Sequence, residues 1–201
     1  MEAKKGKRVK IIEASQYLFM RYSISKVTVK EIADHAGVSK KTIYNYFDSK
    51  NELQKEAILS FLKTVTGKVN SISQNDNLDF FGKIERWINF ASRFLFDLNE
   101  VFIEDVQKNH PDIWKIIEHH RKNNILKLFS SIINCGKKEG YVKEDIDEDF
   151  ISELFYQNIK IVTDADFIYK SNYSIKKNVV QFVEIFFNGL LKDKKNIDIN
   201  L

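Results

Sequence analysis

Residues 39–47 carry side chains whose types and spacing suit contact with a nucleic acid. The segment reads SKKTIYNYF, and it follows a glycine-containing stretch, HAGV. On a helix, Ile43 and Phe47 lie four residues apart and share one face, so we expect them to pack inward together with Val38. The other face would then present cations, hydroxyls and an amide: Lys40, Lys41, Thr42, Tyr44, Asn45 and Tyr46.

This set matches the chemistry of the DNA major groove. The groove admits one α-helix, whose N-terminal residues reach base edges. Lysine donates to guanine, asparagine pairs with adenine, and threonine offers a methyl and a hydroxyl group. Tyrosine hydroxyls can donate to phosphate. A lysine pair or a tyrosine pair alone would more often be a solvated or packing surface, so the combination carries the prediction.

The flanking residues predict the elements that position this segment. Apolar residues recur at helical spacing over 7–22, which favours a first helix. Thr28 and Glu31 have the spacing of a capping box that opens a helix over 29–35, and Gly37 suits its left-handed end. Ser39 is a second N-cap, for a helix over 40–47. Two short helices joined by such a turn form a helix-turn-helix.

Two helix N-termini are candidate phosphate sites. Unpaired backbone N–H groups at Thr28 and Ser49 would point outward with a partial positive charge. Ser49 and Glu52 form another capping-box pattern. Lys50 lies in the first turn of its helix, where the macrodipole disfavours a cation, and a nearby phosphate would resolve that conflict.

Charge and aromatic residues are divided along the chain. Residues 1–55 hold 12 Lys and Arg against 6 Asp and Glu, whereas the rest of the chain has a net charge of −2. Beyond residue 60 lie 14 of the 16 phenylalanines and both tryptophans. We therefore expect a basic DNA-binding domain over 1–52 and a larger aromatic-rich domain over 53–201.

The segment TVKEIADHAGVSKKTIYNYFDSKNEL, residues 28–53, resembles the DNA-binding signature of the tetracycline-repressor (TetR) family of bacterial regulators. The similarity extends back through IIEASQYLF, residues 11–19. The resemblance implies a homodimer, formed mainly by the last two long helices, that binds a palindromic operator and responds to a small-molecule effector. By position, it places Lys41, Thr42, Tyr44 and Asn45 at bases or adjacent backbone. It places Thr28, Ser39, Tyr46 and Lys50 at phosphates.

Two residues depart from that family's pattern. Ser23 stands where the family usually has the glycine that ends helix one, and we expect a slightly different turn there. Lys41 stands where a small residue is common, so the operator sequence does not transfer from the family.

The remaining residues predict further helices and an all-α fold of about nine helices. The expected ranges are 50–72, 80–98, 99–108, 111–139, 148–169 and 174–190. Pro111 suits a first helical turn. Candidate effector contacts are aromatic residues with one arginine between them: Trp87, Phe90, Arg93, Phe94, Trp114 and Phe129. Candidate dimer contacts are apolar residues at helical spacing: Phe150, Leu154, Phe182, Phe186 and Leu190. Ordinary core packing is an alternative for both sets.

Several classes of function are disfavoured. The single cysteine, Cys135, cannot form an intrachain disulfide. His119 and His120 are adjacent and point in different directions, so with His110 they make a poor metal site. We find no pattern for a nucleophilic triad, a phosphate loop or paired catalytic carboxylates, and so expect no enzyme and no cofactor. No apolar run is long enough to span a membrane, and we expect a cytoplasmic protein. A regulator controlled by a protein partner remains the alternative.

Overall fold

A computed structural model of the 201-residue chain describes the backbone of residues 2–97 and 100–190, with side chains over 6–91, 101–164 and 166–187. Ten α-helices and no strands occur in these ranges. The helices are α1 (Glu2–Tyr22), α2 (Val29–Ala36), α3 (Lys40–Tyr44), α4 (Lys50–Ser73), α5 (Phe80–Asp97), α6 (Glu100–Asn109), α7 (Pro111–Lys138), α8 (Glu148–Val162), α9 (Ala165–Ser171) and α10 (Ile175–Leu190).

The all-α fold predicted from the sequence is confirmed, but the number of helices differs by one. The predicted helix over 148–169 is wrong: α8 ends at Val162 and α9 begins at Ala165. The Thr163 hydroxyl donates back to the Ile159 carbonyl at 2.7 Å. Asp164 then caps α9, because its carboxylate accepts from the backbone N–H of Asp166 at 3.0 Å. A cap residue inside an apolar periodic stretch therefore starts a new helix.

The chain divides into two compact units. Of the described residues, the first contains 2–65, 97 and 100–119, and the second contains 66–96 and 120–190. Helix α6 therefore belongs to the same unit as α1, α2 and α3, although it lies far from them in the sequence. Within the described residues, no helix has the length and apolar character needed to cross a membrane.

The core of the first unit explains why α1, α2 and α3 pack together. Helix α1 buries residues at helical spacing, including Ile11 and Phe19, both fully buried. Ile32 of α2 and Ile43 of α3 are buried against this core, and so is Phe47, just beyond α3. These side chains fix the face of α3 that points inward, and therefore the face that remains outside.

The core of the second unit is aromatic. Phe155 of α8 stacks on Phe129 of α7 with ring centroids 4.2 Å apart, and the Trp87 ring meets Phe155 edge-on at 5.2 Å. Gly136 of α7 permits close packing here, since a Cβ at that position would lie 2.7 Å from the Phe80 ring. Aromatic pairs in these geometries stabilise a core beyond the area they bury.

Candidate nucleic-acid interface

Helices α2 and α3 form a capped helix-turn-helix. The Glu31 backbone N–H donates to the Thr28 hydroxyl at 3.2 Å, and the Glu31 carboxylate accepts from the Thr28 N–H at 2.7 Å. The hydrogen bonds that the Thr28 N–H and hydroxyl donate to the Glu31 carboxylate lower its pKa. Gly37 has φ of 66°, a left-handed conformation that glycine adopts without a Cβ clash. The predicted capping box and glycine stop are confirmed.

Helix α3 is shorter than the sequence predicts. Ser39 caps it as expected, accepting from the Thr42 N–H at 3.1 Å, but the helix ends at Tyr44 and not at Phe47. Asn45 is the C-cap, and its N–H donates to the Lys41 carbonyl at 3.0 Å. The segment continues as a turn through Tyr46, so Phe47 reaches the core from this turn.

The surface of α3 and its turn is polar, basic and aromatic. Ile43 and Phe47 are each 1% exposed, whereas Tyr44 is 52% exposed. Lys40, Lys41 and Asn45 are exposed, and Thr42 and Tyr46 are half-buried. Two cations, an amide and a tyrosine ring are therefore presented together to solvent, on a helix whose other face is anchored in the core.

Lys50 makes a contact inside the protein that the sequence does not predict. Its ammonium group donates to the Ile24 carbonyl at 3.2 Å. Burial lowers the pKa of Lys50, while the charges of Asp105 and Glu31 oppose that change. The conflict with the α4 macrodipole is thus relieved by protein groups, and the phosphate contact of Lys50 stays a prediction.

The turn after α1 is held by a carboxylate of α6. Asp105, 8% exposed, accepts from the Ser25 backbone N–H at 2.9 Å and from the Ser25 hydroxyl at 2.5 Å. It also accepts from the Asn109 side chain at 2.9 Å, and His110 lies within 3.8 Å. Sequence reasoning missed this cluster because Ser25 and Asp105 are 80 residues apart.

Ser23 keeps a positive φ in that same turn. Its φ is 95° and its side chain is 1% exposed. The expectation that this turn differs slightly from that of the family stays a prediction. The backbone conformation that glycine would favour is kept by a buried serine, whose hydroxyl accepts from the Lys26 N–H at 3.4 Å.

The predicted effector contacts fall into separate parts of the structure. Trp87 and Phe129 are buried in the second unit, and Phe90 is half-buried there. Trp114 belongs to the first unit. The side chains of Arg93 and Phe94 lie outside the described residues. A narrow crevice between α5 and α10, of about 10 Å³, is lined by Trp87, Val180 and Lys176 among others.

The predicted dimer contacts are partly exposed. On α8, Phe150 is 67% and Leu154 is 41% exposed. On α10, Phe182 and Phe186 are half-buried and touch Phe155, with ring centroids at 5.2 and 5.0 Å, while the Leu190 side chain lies outside the described residues. Ile161, which continues the helical spacing of Phe150 and Leu154, is also exposed. Sequence reasoning left out one further exposed residue, Ile185.

Among the side chains that the structure describes, no group of three or more His, Cys, Asp or Glu residues is placed to bind a metal ion.

Comparisons with known proteins bear on the same region. Residues 11–57 match the family model described as "Bacterial regulatory proteins, tetR family". The chain is 21% identical to the HTH-type transcriptional regulator YvaF of Bacillus subtilis, over 92% of this chain and 97% of that protein. It is 23% identical to the HTH-type transcriptional repressor KstR2 of Rhodococcus jostii, over 72% of each chain.

Solved structures show the same fold over most of the chain. The fatty acid degradation regulator FadR from Bacillus halodurans superposes with a TM-score of 0.67 and 21% identity, over 92% of this chain and 96% of that one. A complex of SmeT with triclosan superposes with a TM-score of 0.65 and 14% identity, over 98% of this chain and 95% of that one.

The fold and the α2–α3 surface define a helix-turn-helix transcriptional regulator that binds DNA, not an enzyme. Within that class, residues 11–57 place the DNA-binding region of the chain in the TetR family.

Proposed function

We propose that this protein is a cytoplasmic, homodimeric repressor that binds a palindromic operator and is released from it by a small-molecule effector. The observation that carries the proposal is the two-sided α3. Its apolar side is buried at Ile43, while Lys40, Lys41 and Tyr44 remain exposed on a capped helix. The family relative KstR2 is named as a repressor, which supports repression as the direction of control.

The DNA-binding part of the proposal predicts specific contacts. Lys41, Thr42, Tyr44 and Asn45 contact bases or the adjacent backbone, and Lys40 lies beside them. Thr28, Ser39, Tyr46 and Lys50 hold phosphates. In the proposed domain organisation, residues 1–52 form the DNA-binding domain, and residues 53–201 form the effector and dimer domain. Base contacts specify sequence while phosphate contacts fix register, so substitutions in the two groups have different effects.

The DNA test uses as its probe the DNA that lies upstream of this protein's gene. Tyr44→Ala is expected to weaken operator binding by about 1–3 kcal/mol, roughly fivefold to 150-fold, because a well-placed base contact is worth that much. Tyr169→Ala is the matched control, since Tyr169 is 87% exposed on α9. Fluorescence anisotropy measures both affinities, and sedimentation checks that the oligomeric state is unchanged. Equal affinities for the two variants would refute the groove assignment.

The dimer part rests on the exposed apolar side chains of α8 and α10. Phe150, Ile161 and Ile185 are 67%, 53% and 75% exposed, and large apolar side chains clustered on two helices mark an interaction surface. Helices α8 and α10 also pack on each other. A second copy placed on this surface gives a four-helix arrangement that buries these side chains, together with Leu154 and the edges of Phe182 and Phe186.

Sedimentation velocity tests the dimer. The wild-type chain is expected to sediment as a dimer at micromolar concentration, and Ile185→Glu is expected to shift it toward monomer. Leu59→Glu is the matched control, because Leu59 is exposed to 43% on α4 and does not belong to the α8–α10 surface. Two outcomes would contradict the proposal: a monomeric wild type, or an Ile185→Glu protein that remains dimeric.

The effector part places a ligand among the aromatic residues of the second unit. Trp87 lines the crevice between α5 and α10, whose volume of about 10 Å³ is near the minimum for one water. A ligand that binds there must therefore open the crevice. It can shift DNA affinity only to the extent that its affinities for the closed and the open conformation differ. The SmeT complex with triclosan supports a small apolar effector as the type of signal.

A ligand screen separates this proposal from control by a protein partner. Thermal unfolding is measured against a panel of small apolar compounds, and each stabilising compound is then added to the protein–operator complex. We expect at least one compound to raise Tm and to lower operator affinity. Trp87→Ala should abolish both effects. If purified protein releases DNA only on adding a partner protein, the effector proposal is wrong.

A further inference from the structure

A groove on the first unit is not explained by DNA or effector binding. Its volume is about 410 Å³, within the range of small-molecule sites. Helices α1, α2 and α6 and the turn after α1 contribute its lining. None of the residues predicted to contact DNA is among the lining residues, so the groove is distinct from the α3 surface.

The groove has an apolar floor and two apolar walls. Leu18 and Val27 form the floor and are 8% and 3% exposed. Tyr22 and Val101 also line the groove but are 53% and 41% exposed. Exposed large apolar side chains next to a buried apolar floor mark a ligand groove or an interaction site. A phosphate group of DNA would gain nothing from the three aliphatic side chains, Leu18, Val27 and Val101.

The charged groups of the lining favour an anion. Arg21 and Lys26 line the groove and are both exposed. Among the described lining residues, the acidic one is Glu31, which already accepts hydrogen bonds from the N–H and the hydroxyl of Thr28, at 2.7 and 2.8 Å. The described part of the lining therefore sets two cations against one carboxylate, whose oxygen is engaged in the α2 cap.

We propose that this groove binds a small amphiphilic anion, meaning a carboxylate or sulfonate attached to an apolar body. The apolar body lies on Leu18 and Val27 against Val101, and the acid group pairs with Arg21 and Lys26. Lysine and arginine at a groove mouth place their charge at its rim while their stems cover apolar surface. This ligand site is additional to the effector site proposed in the second unit.

The test uses 8-anilinonaphthalene-1-sulfonate, a sulfonate on an apolar aromatic body, with the full-length protein and no DNA. Methyl NMR of leucine- and valine-labelled protein reports where the probe binds. We expect saturable shifts of the Leu18, Val27 and Val101 methyl signals. Lys26→Glu should weaken this binding roughly threefold to tenfold, because a surface ion pair is replaced by a repulsion.

Two more variants make the test specific. Val101→Glu removes an apolar wall and adds a negative charge. Val101 is the second residue of α6, where the macrodipole favours an acidic side chain, so the helix should persist. Lys30→Glu is the matched control: it makes the same charge change on an exposed residue of α2 that does not line the groove. We expect Val101→Glu to weaken binding at least as much as Lys26→Glu, and Lys30→Glu to change it less than twofold at 0.15 M salt.

The proposal is overturned by no binding up to millimolar probe, by shifts confined to methyl groups of the second unit, or by equal weakening by Lys26→Glu and Lys30→Glu. If Lys26→Glu instead weakens operator binding while the probe leaves the groove methyl signals unmoved, the groove holds DNA phosphate and the proposal is wrong. Because the probe is titrated without DNA, its result is independent of operator binding by the α3 surface.

Discussion

Replacing Asp105 by asparagine should destabilise the first unit by about 3 kcal/mol at neutral pH. The carboxylate accepts from the N–H and the hydroxyl of Ser25 and from the Asn109 side chain, at 2.9, 2.5 and 2.9 Å. A hydrogen bond to a charged group contributes about 1 kcal/mol more than a neutral one. An asparagine would also turn its NH₂ group either toward the Ser25 N–H or toward the oxygen position that the Asn109 amide donates to, so at least one of these donors loses its acceptor.

The pH dependence of this effect has a defined sign. Burial alone would raise the pKa of Asp105, but the hydrogen bonds from Ser25 and Asn109, with the charge of His110, outweigh burial and lower it below its ordinary value of 3.8. A lowered folded-state pKa gives stability that is present above the unfolded pKa and is lost as pH falls through the folded pKa. The difference between wild type and Asp105→Asn should therefore be full at pH 7 and shrink below pH 3.8.

Urea unfolding at several pH values measures this difference. Asp112→Asn is the matched control, because the Asp112 side chain is 77% exposed and only reaches Lys55 at 4.0 Å. Such a surface pair contributes at most about 1 kcal/mol. The role of the Asp105 carboxylate is contradicted if Asp105→Asn lowers the free energy of unfolding no more than Asp112→Asn does, or if it lowers that free energy as much at pH 2.5 as at pH 7.

Three further predictions concern DNA, the core and the single cysteine. Operator affinity should fall by roughly 10³ or more between 50 and 200 mM salt if the dimer makes six or more phosphate contacts, and a flat dependence in an anisotropy titration would exclude that electrostatic contribution. Phe155→Ala should lower the free energy of unfolding by about 3–5 kcal/mol, since it empties the centre of the aromatic cluster; calorimetric Tm within 2 °C of wild type would contradict this. Burial and the nearby Glu139 carboxylate raise the pKa of Cys135 to about 11, so iodoacetamide should alkylate it slowly at pH 7.5 and faster as pH approaches that value. Rapid alkylation at pH 7.5 in the folded protein would show a reactive thiolate instead.

Local signals in the sequence predicted the helix-turn-helix well. Thr28, Gly37 and Ser39 each act on neighbours within three or four residues, so their roles can be read without knowing the tertiary fold. The same holds for the starts of α4, α5 and α7, which the sequence placed within a residue or two. The end of α3 was missed because Tyr46 and Phe47 continue the apolar spacing of a helix while forming a turn.

Long-range partners could not be predicted. Nothing near Lys50 in the sequence indicates that its ammonium group donates to the Ile24 carbonyl, and nothing near Asp105 indicates Ser25. Both contacts depend on how α4 and α6 pack against the turn that follows α1. The charge pattern therefore singled out Lys50 but not Asp105, and the protein partner of each side chain follows only from the tertiary structure.

The long-range contact between Asp105 and Ser25 limits how an effector can act on the DNA-binding surface. Separating α6 from the turn before α2 would break the hydrogen bonds of Asp105 to Ser25, at about 1.5–3 kcal/mol each because the acceptor is charged. Coupling free energies between an effector site and a second site are typically 1–3 kcal/mol. The free energy needed to break both hydrogen bonds therefore equals or exceeds the coupling free energy that an effector typically supplies. In the proposed repressor, an effector would therefore move α6 and the helix-turn-helix together as one body, and would not detach one from the other.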